Sequence, residues 1–347
     1  MLLQGNTDMK PLLSLRLAGL VLAFGCSPLL QAADSLAPPH GRIIEGRPVE
    51  VTAHPRQQQL LNNPDRQLAT NKRRVYDYWR HVILGGRADA IDGFLADNYI
   101  EHNPLLPSSR EAFKEYISTN GQPSEVPAQI PDLVTVVAEK DYVVMAMVTH
   151  YPEADGSGTY TSTHFEMFRM DAGLIAEHWD SWLFRSNQVV PDYGDNAAKP
   201  TRGLAGPDQL SFFGSTDPQL FVNKRLVFDL WRHIPEGGRE ELIELFMDPI
   251  YIQHNPNAAT GREGAKVYFS QRPDSEIDPY LQDELVALFA EGDLVVQVLE
   301  TEREVNGVTY HVPWFDLFRV EGARVIEHWD TASKGELPPD MPGILPL

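Results

Sequence analysis

The sequence predicts two tandem α+β domains, each opening with helices and closing with an antiparallel sheet. Three observations carry that expectation. The chain repeats itself: Asn71 to Arg87 (NKRRVYDYWRHVILGGR) and Asn223 to Arg239 (NKRLVFDLWRHIPEGGR) are identical at 11 of 17 positions, where composition alone allows roughly one match. The 152-residue offset holds for YIEHNP from Tyr99 against YIQHNP from Tyr251, and EHWD recurs at Glu177–Asp180 and Glu327–Asp330 with an offset of 150. Within each copy the apolar spacing then changes from helical to alternating. Finally, 347 residues accommodate two domains of roughly 130 residues with linkers, and two long repeats are too few for a solenoid.

The elements follow in order. Residues 34–67 lack periodicity and read as an extended leader, so domain 1 covers 68–186. Val75, Tyr78, Trp79 and Val82 recur at helical spacing, as do Val227, Leu230, Trp231 and Ile234 in domain 2, which covers 220–337. Gly85-Gly86 and Gly237-Gly238 stop these helices. Short second helices are expected at Ala88 to Leu95 and Glu240 to Phe246. The Asn-Pro of each YIxHNP block forces a turn, and third helices start at Arg110 and Arg262.

Strands are predicted at Tyr142 to Thr149 and Leu294 to Thr301, with turns at Gly156-Ser157-Gly158 and Asn306-Gly307, where two residues are lost between copies. The last hairpins join His164–Met170 to Leu174–Asp180 and Trp314–Val320 to Arg324–Asp330. Residues 187–219, rich in Pro, Gly and Asp, form the linker, and 338–347 a Pro-rich tail.

Met9-Lys10-Pro11, an apolar stretch to Leu30 and the small pair Ala32-Ala33 match an export signal, residues 1–33, cleaved after one of those alanines. Arg16 and Pro28 interrupt the run and argue against a membrane span. The chain's one cysteine, Cys26, lies inside this signal, so the mature chain has no disulfide or thiolate chemistry. Gly25-Cys26 raises a lipoprotein alternative, although Ala23 and Phe24 suit a lipid-attachment box poorly. These features place the mature protein in the periplasm or outside the cell. A net charge of −20 argues against nucleic acid or an anionic membrane surface as partner.

The order of motifs, with YIQHNP, GREGAKVYF, FDLFRV and RVIEHWD, resembles the SnoaL-like branch of the nuclear-transport-factor-two-like superfamily across both repeats. That resemblance implies two cone-shaped α+β domains, helices packed on a curved sheet around a pocket. It implies polyketide-cyclase-like aldol chemistry, isomerisation, dehydration or epoxide hydrolysis, or a non-catalytic binding or dimerisation module. Fold alone does not decide among these. The family's acid/base carboxylate lies at the end of a late strand, matching Asp180 and Asp330 here. The first copy departs from the pattern with Ser109-Arg110-Glu111-Ala112 for GREG and Glu166 for Asp316, which favours the second domain as the active one.

Strand alternation sorts the chemistry. If the last hairpin turns at Glu321–Arg324, Phe315 faces Asp330 and Leu317 faces His328, with Phe165 facing Asp180 and Met167 facing His178 in the first copy. A carboxylate among such apolar side chains has a raised pKa, suited to a proton shuttle, and His328, Phe315, Leu317, His178, Phe165 and Met167 are expected to bind the substrate beside it. A slip of one residue instead sets Asp316 beside Asp330. His102 and His254 are either imidazoles that orient substrate or partner the Asp, or caps of the turns before Pro104 and Pro256. His81 and His233, at helix C-termini, read as structural.

Two His and one Asp per domain could ligate zinc, but no HExxH-like spacing, phosphate loop or nucleophile elbow occurs, and neither metal nor cofactor is expected. The leading expectation is an exported, cofactor-independent acid/base enzyme with Asp330 as base or acid and His254 as polar partner. Its ligand is a small apolar carbonyl or hydroxyl compound. The alternative is a binding or scaffold module. Trp179 and Trp329 are expected at the contact of an intramolecular pseudo-dimer.

Overall fold

The computed structural model describes residues 35–39, 43–183, 185 and 188–337. The expected export signal with Cys26, and the Pro-rich tail, lie outside the described residues. Among the described residues no helix is long and apolar enough to cross a membrane.

The first repeat contains helices α1 (Gln57–Leu60), α2 (Arg66–Tyr78) and α3 (Arg110–Asn120), and strands β1 (Leu95–Glu101), β2 (Leu133–Glu139), β3 (Tyr142–Pro152), β4 (Thr159–Asp171) and β5 (Leu174–Asp180). The second contains α4 (Pro218–His233), α5 (Ile243–Phe246), β6 (Met247–Gln253), α6 (Arg262–Phe269), β7 (Leu285–Glu291), β8 (Leu294–Val305), β9 (Val308–Glu321) and β10 (Arg324–Asp330). Asp65 and Asp217 cap α2 and α4, accepting backbone N–H groups of the first turn.

The sheets have equivalent orders, β1-β5-β4-β3-β2 and β6-β10-β9-β8-β7. They are mixed rather than wholly antiparallel. The YIxHNP segments stay extended up to the His and run parallel to the last strands, with Glu101 beside His178 and Gln253 beside His328. Strands β2 and β7 are buried at every residue, so they show no alternation to read.

The last hairpins correct the expected register. Val325 pairs with Val320, but Glu327 pairs with Arg319, leaving Ile326 as a bulge. Every later residue is therefore shifted by one: Phe318 faces His328, Leu317 faces Trp329, and Asp316 faces Asp330. A bulge at Ala176 shifts the first copy likewise, setting Phe168 against His178, Met167 against Trp179 and Glu166 against Asp180.

One face of each sheet packs under its own helices, and the other packs against the other sheet. This shared core contains Phe165, Met167 and Trp179 with Phe315, Leu317 and Trp329. The Phe165 and Phe315 rings stack at 5.4 Å. The tryptophans thus lie at the interdomain contact, and the two repeats form an intramolecular pseudo-dimer.

The repeated NKR motif explains part of that contact. Lys72, fully buried, donates to Glu291 across the interface at 2.7 Å, and Lys224, equally buried, donates to Glu139 at 2.9 Å. Each carboxylate also accepts a backbone N–H from the opposite sheet, of Ala138 and Ala290 respectively.

The segments expected as leader and linker are equivalent hydrogen-bonded straps. Val49 N donates to Gln253 O of the second domain, and His54 N to Leu133 O of the first. In the linker Lys199 N donates to Glu101 O of the first domain, and Leu204 N to Leu285 O of the second. Each strap therefore crosses from the opposite domain to its own.

Candidate active site

The bulges decide which side chains face the interior under the helices of each domain. In the second domain Asp316, His328 and Asp330 line a cavity of about 310 Å³ with Tyr251, Gln253 and Asn255. The wider wall includes Leu230, Trp231, Ala265, Tyr268, Trp314 and Phe318. Burial supplies the apolar setting, and a few polar groups converge on one end, the usual composition of a small-molecule site.

Asn255, the Asn of YIQHNP, donates from Nδ2 to Asp330 Oδ2 at 2.7 Å. Asp330 Oδ1 is buried without a hydrogen-bond partner, and the Trp314 indole is the group beside the second oxygen of Asp316. Burial first, and then the neighbouring Asp316, push the Asp330 carboxyl up to about 6, against the opposing influence of His328. Burial holds Asp316 well above the usual carboxylate range. His328 lies between Asp316 Oδ1 at 3.0 Å and Gln253 Oε1 at 3.1 Å, and burial lowers its pKa. An amide oxygen only accepts, so the neutral ring carries its proton on Nδ1 and donates it to Gln253. Nε2 then accepts the proton of a neutral Asp316 carboxyl. Burial thus favours the neutral form of both carboxyls, Asp316 the more strongly.

The first domain holds the same positions in a different charge state. Glu101 replaces Gln253 and Glu166 replaces Asp316, so His178 lies between two carboxylates, with Nδ1 2.9 Å from Glu101 and Nε2 2.5 Å from Glu166. Burial opposes its charge, but the two carboxylates prevail and raise its pKa well above the ordinary value. His164 Nε2 adds a 2.6 Å contact to Glu166, and its Nδ1 meets Ser181 Oγ at 3.0 Å. Asp180, held by Asn103 Nδ2 at 2.6 Å, is pushed up to about 7 by burial and then by Glu166. Space also differs: Tyr78, Leu106 and Phe113 occupy positions of Leu230, Ala258 and Ala265, and all three belong to the first domain's packed core.

Several expected site residues lie elsewhere, for a single reason. The bulge turns Phe315, Leu317, Phe165 and Met167 into the interdomain core, so they do not line the cavity. His254 is not the partner of Asp330. It stacks on Trp329 at 4.8 Å on the opposite face, with Nε2 2.8 Å from Glu327 Oε1 and Nδ1 2.9 Å from Val49 O. His102 stacks on Trp179 at 4.5 Å with Nδ1 3.0 Å from Lys199 O. Both histidines bind the straps, and neither lines the cavity around Asp330. Asp330, Asp180, His328 and His178 do converge with the conserved spacing of the repeats, and the Asn after each of His102 and His254 was the missed neighbour. The signal was present, since Asn103 and Asn255 are retained in both copies.

Asp316, His328 and Asp330 each offer a ligand atom within 4.8 Å of the others, as do His164, Glu166 and Asp180. In the first set Asp330 Oδ1 is unengaged. In the second, both imidazole nitrogens of His164 already have partners.

Residues 73–178 match the family model described as a SnoaL-like domain. Comparison with curated proteins gives no match. Among solved structures, TsrD from Streptomyces laurentii is 21% identical, covering 34% of this chain and 90% of its own, with a TM-score of 0.24. An LEH-like epoxide hydrolase from M. tuberculosis is 10% identical over 33% of this chain and 84% of its own, with a TM-score of 0.25. An NTF2-like protein from Anabaena variabilis is 14% identical over 35% and 91%, with a TM-score of 0.26. Residues 73–178 thus belong to the SnoaL-like domain family, and the second repeat carries the same ordered motifs and the same sheet order.

Proposed function

We propose that the second domain is a cofactor-independent acid/base site acting on a small, largely apolar carbonyl or hydroxyl compound. The observation that supports this most is Asp330 in the lining of a cavity, its Oδ1 buried without a hydrogen-bond partner and its neighbour Asp316 held by burial well above the usual carboxylate range. Asp330 would take a proton from the carbon next to a carbonyl and so become the neutral acid. Tyr251, whose oxygen accepts from Gln253 Nε2 at 3.1 Å, keeps its hydroxyl proton to donate to the developing oxyanion. Return of the proton from Asp330 to another atom completes an isomerisation. Attack of the enolate carbon on a second carbonyl, whose oxygen takes the proton back from Asp330, makes an aldol cyclisation; loss of a β-hydroxyl as water, protonated by Asp330, makes a dehydration.

The test is deuterium uptake by a panel of small apolar ketones, 2-tetralone first, followed by NMR in heavy water. Exchange faster than with buffer supports the reading, and exchange at the buffer rate throughout opposes it.

The first domain fits the second reading, a scaffold without turnover, because Tyr78, Leu106 and Phe113 fill the equivalent space. We also read the N-terminal segment as a cleaved export signal and the mature protein as periplasmic. Mass spectrometry of the exported chain should find an N-terminus near Ala33 or Asp34, whereas an uncleaved chain or a lipid on Cys26 opposes it.

A further inference from the structure

The cavity of the second domain has a cation at its other end. Arg303, near the end of β8, lines the same cavity as Asp330 and lies over the Trp314 ring at 5.8 Å. Both of its hydrogen bonds come from Nη1, to Thr301 Oγ1 and to the carbonyl of Glu302, each at 3.1 Å. Burial pushes its pKa down, and no carboxylate offsets that cost. Its strand neighbours Glu302 and Glu304 are exposed, as alternation places them on the other face. A half-buried guanidinium with donors to spare, in a chain of net charge −20, calls for an anion that the protein does not supply.

The two copies show that this cation came with the open cavity. The first domain has Tyr151, buried against Tyr160 at 5.6 Å, where the second has Arg303. Arg272, also on the cavity wall, stands where the first domain has Asn120. The same lining contains Glu236, Asp283 and Glu300. Glu236 is pushed up to about 7 by burial, and Glu300 is engaged by Arg202 and His311. These acids would repel a dianion such as a phosphate monoester, while a single carboxylate matches the planar fork of one arginine.

We propose that the ligand of this cavity is a monoanionic carboxylic acid, whose carboxylate is held by Arg303 over Trp314 while its apolar body extends towards Asp330. The proposal rests on the cavity being the working site, and it adds the chemical class of the substrate. It predicts a preference for the acid over a neutral isostere of the same shape.

The experiment titrates the full mature chain with 2-naphthoate and with 2-naphthamide at neutral pH, by calorimetry. Wild type should bind the acid roughly tenfold or more tightly than the amide, the usual effect of a charge-assisted hydrogen bond. Arg303→Gln, with folding checked by circular dichroism, should lose that preference while keeping its affinity for the amide. Equal affinities in wild type, a preference unchanged in Arg303→Gln, or no binding of either probe overturns the proposal. Should Arg303→Gln fail to fold, the wild-type comparison alone decides. Failure here leaves the ketone exchange reaction untouched, so the class of substrate and the role of Asp330 are judged separately.

Discussion

Asp316 and Asp330 face each other across β9 and β10, and Oδ1 of Asp330 is buried there without a hydrogen-bond partner. Two acids in one apolar site cannot both ionise cheaply, so one stays neutral and the other becomes a base with a raised pKa. Removing the charge from Asp330 should therefore relieve the folded state. Its folded pKa of about 6 lies above its ordinary 3.8, so the stability linked to its protonation is complete below about pH 4 and lost as pH rises to about 6. Asp330→Asn should be the more stable protein above that window, by on the order of 1–3 kcal/mol, with little difference at acid pH. Denaturant titrations at several pH values measure this; an advantage that grows towards acid would contradict it.

The exchange of Glu101 for Gln253 should set opposite charges on two equivalent histidines. His178, held by Glu101 and Glu166, should stay doubly protonated above neutral pH, whereas His328 should be neutral with its proton on Nδ1. Nitrogen-15 NMR of the imidazoles distinguishes these states. Gln253→Glu should convert His328 towards the cationic form and reduce turnover.

Ala265 keeps open a space that Phe113 fills in the first domain. Ala265→Phe should cut ketone exchange by tenfold or more while costing about 1–3 kcal/mol of stability, the usual range for overpacking. Unchanged exchange would place the chemistry outside this cavity.

Each interdomain lysine has one buried counter-ion. Glu291→Gln should leave Lys72 buried and uncompensated, and destabilise the chain by roughly 3–5 kcal/mol. Glu139→Gln should do the same through Lys224. Equilibrium denaturation tests both, and a loss below about 1 kcal/mol, as for a surface pair, would mean that these pairs are solvated.

Much of the fold was legible because it rests on local chemistry: helical spacing around Trp79 and Trp231, glycines after the first helices, and alternation in the last hairpins. The register was not, because FDLFRV and RVIEHWD alternate equally well in either pairing, and the bulge at Ile326 changes no residue type. That one residue moved Phe315 and Leu317 into the interdomain core and brought Asp316 to Asp330. The histidines of YIxHNP misled for a different reason. Their partners are backbone carbonyls of straps without periodicity, Val49 and Lys199, and nothing in a strap's sequence marks where its carbonyls point.

The account stands on Asp330 as the proton carrier. Asp330→Asn keeps the size of the side chain and its bond to Asn255 but removes the base, so the fold should survive. Exchange of 2-tetralone, or of whichever panel ketone proves most reactive, should then fall by about 10²–10⁴-fold, the usual contribution of general acid–base catalysis. Wild-type exchange should rise with pH through about 6 as Asp330 ionises, and Asp180→Asn should have the smaller effect because Tyr78, Leu106 and Phe113 pack in the core of its domain where the second has Leu230, Ala258 and Ala265. Full exchange in the Asp180→Asn, Asp330→Asn double variant would contradict the assignment and leave a binding module.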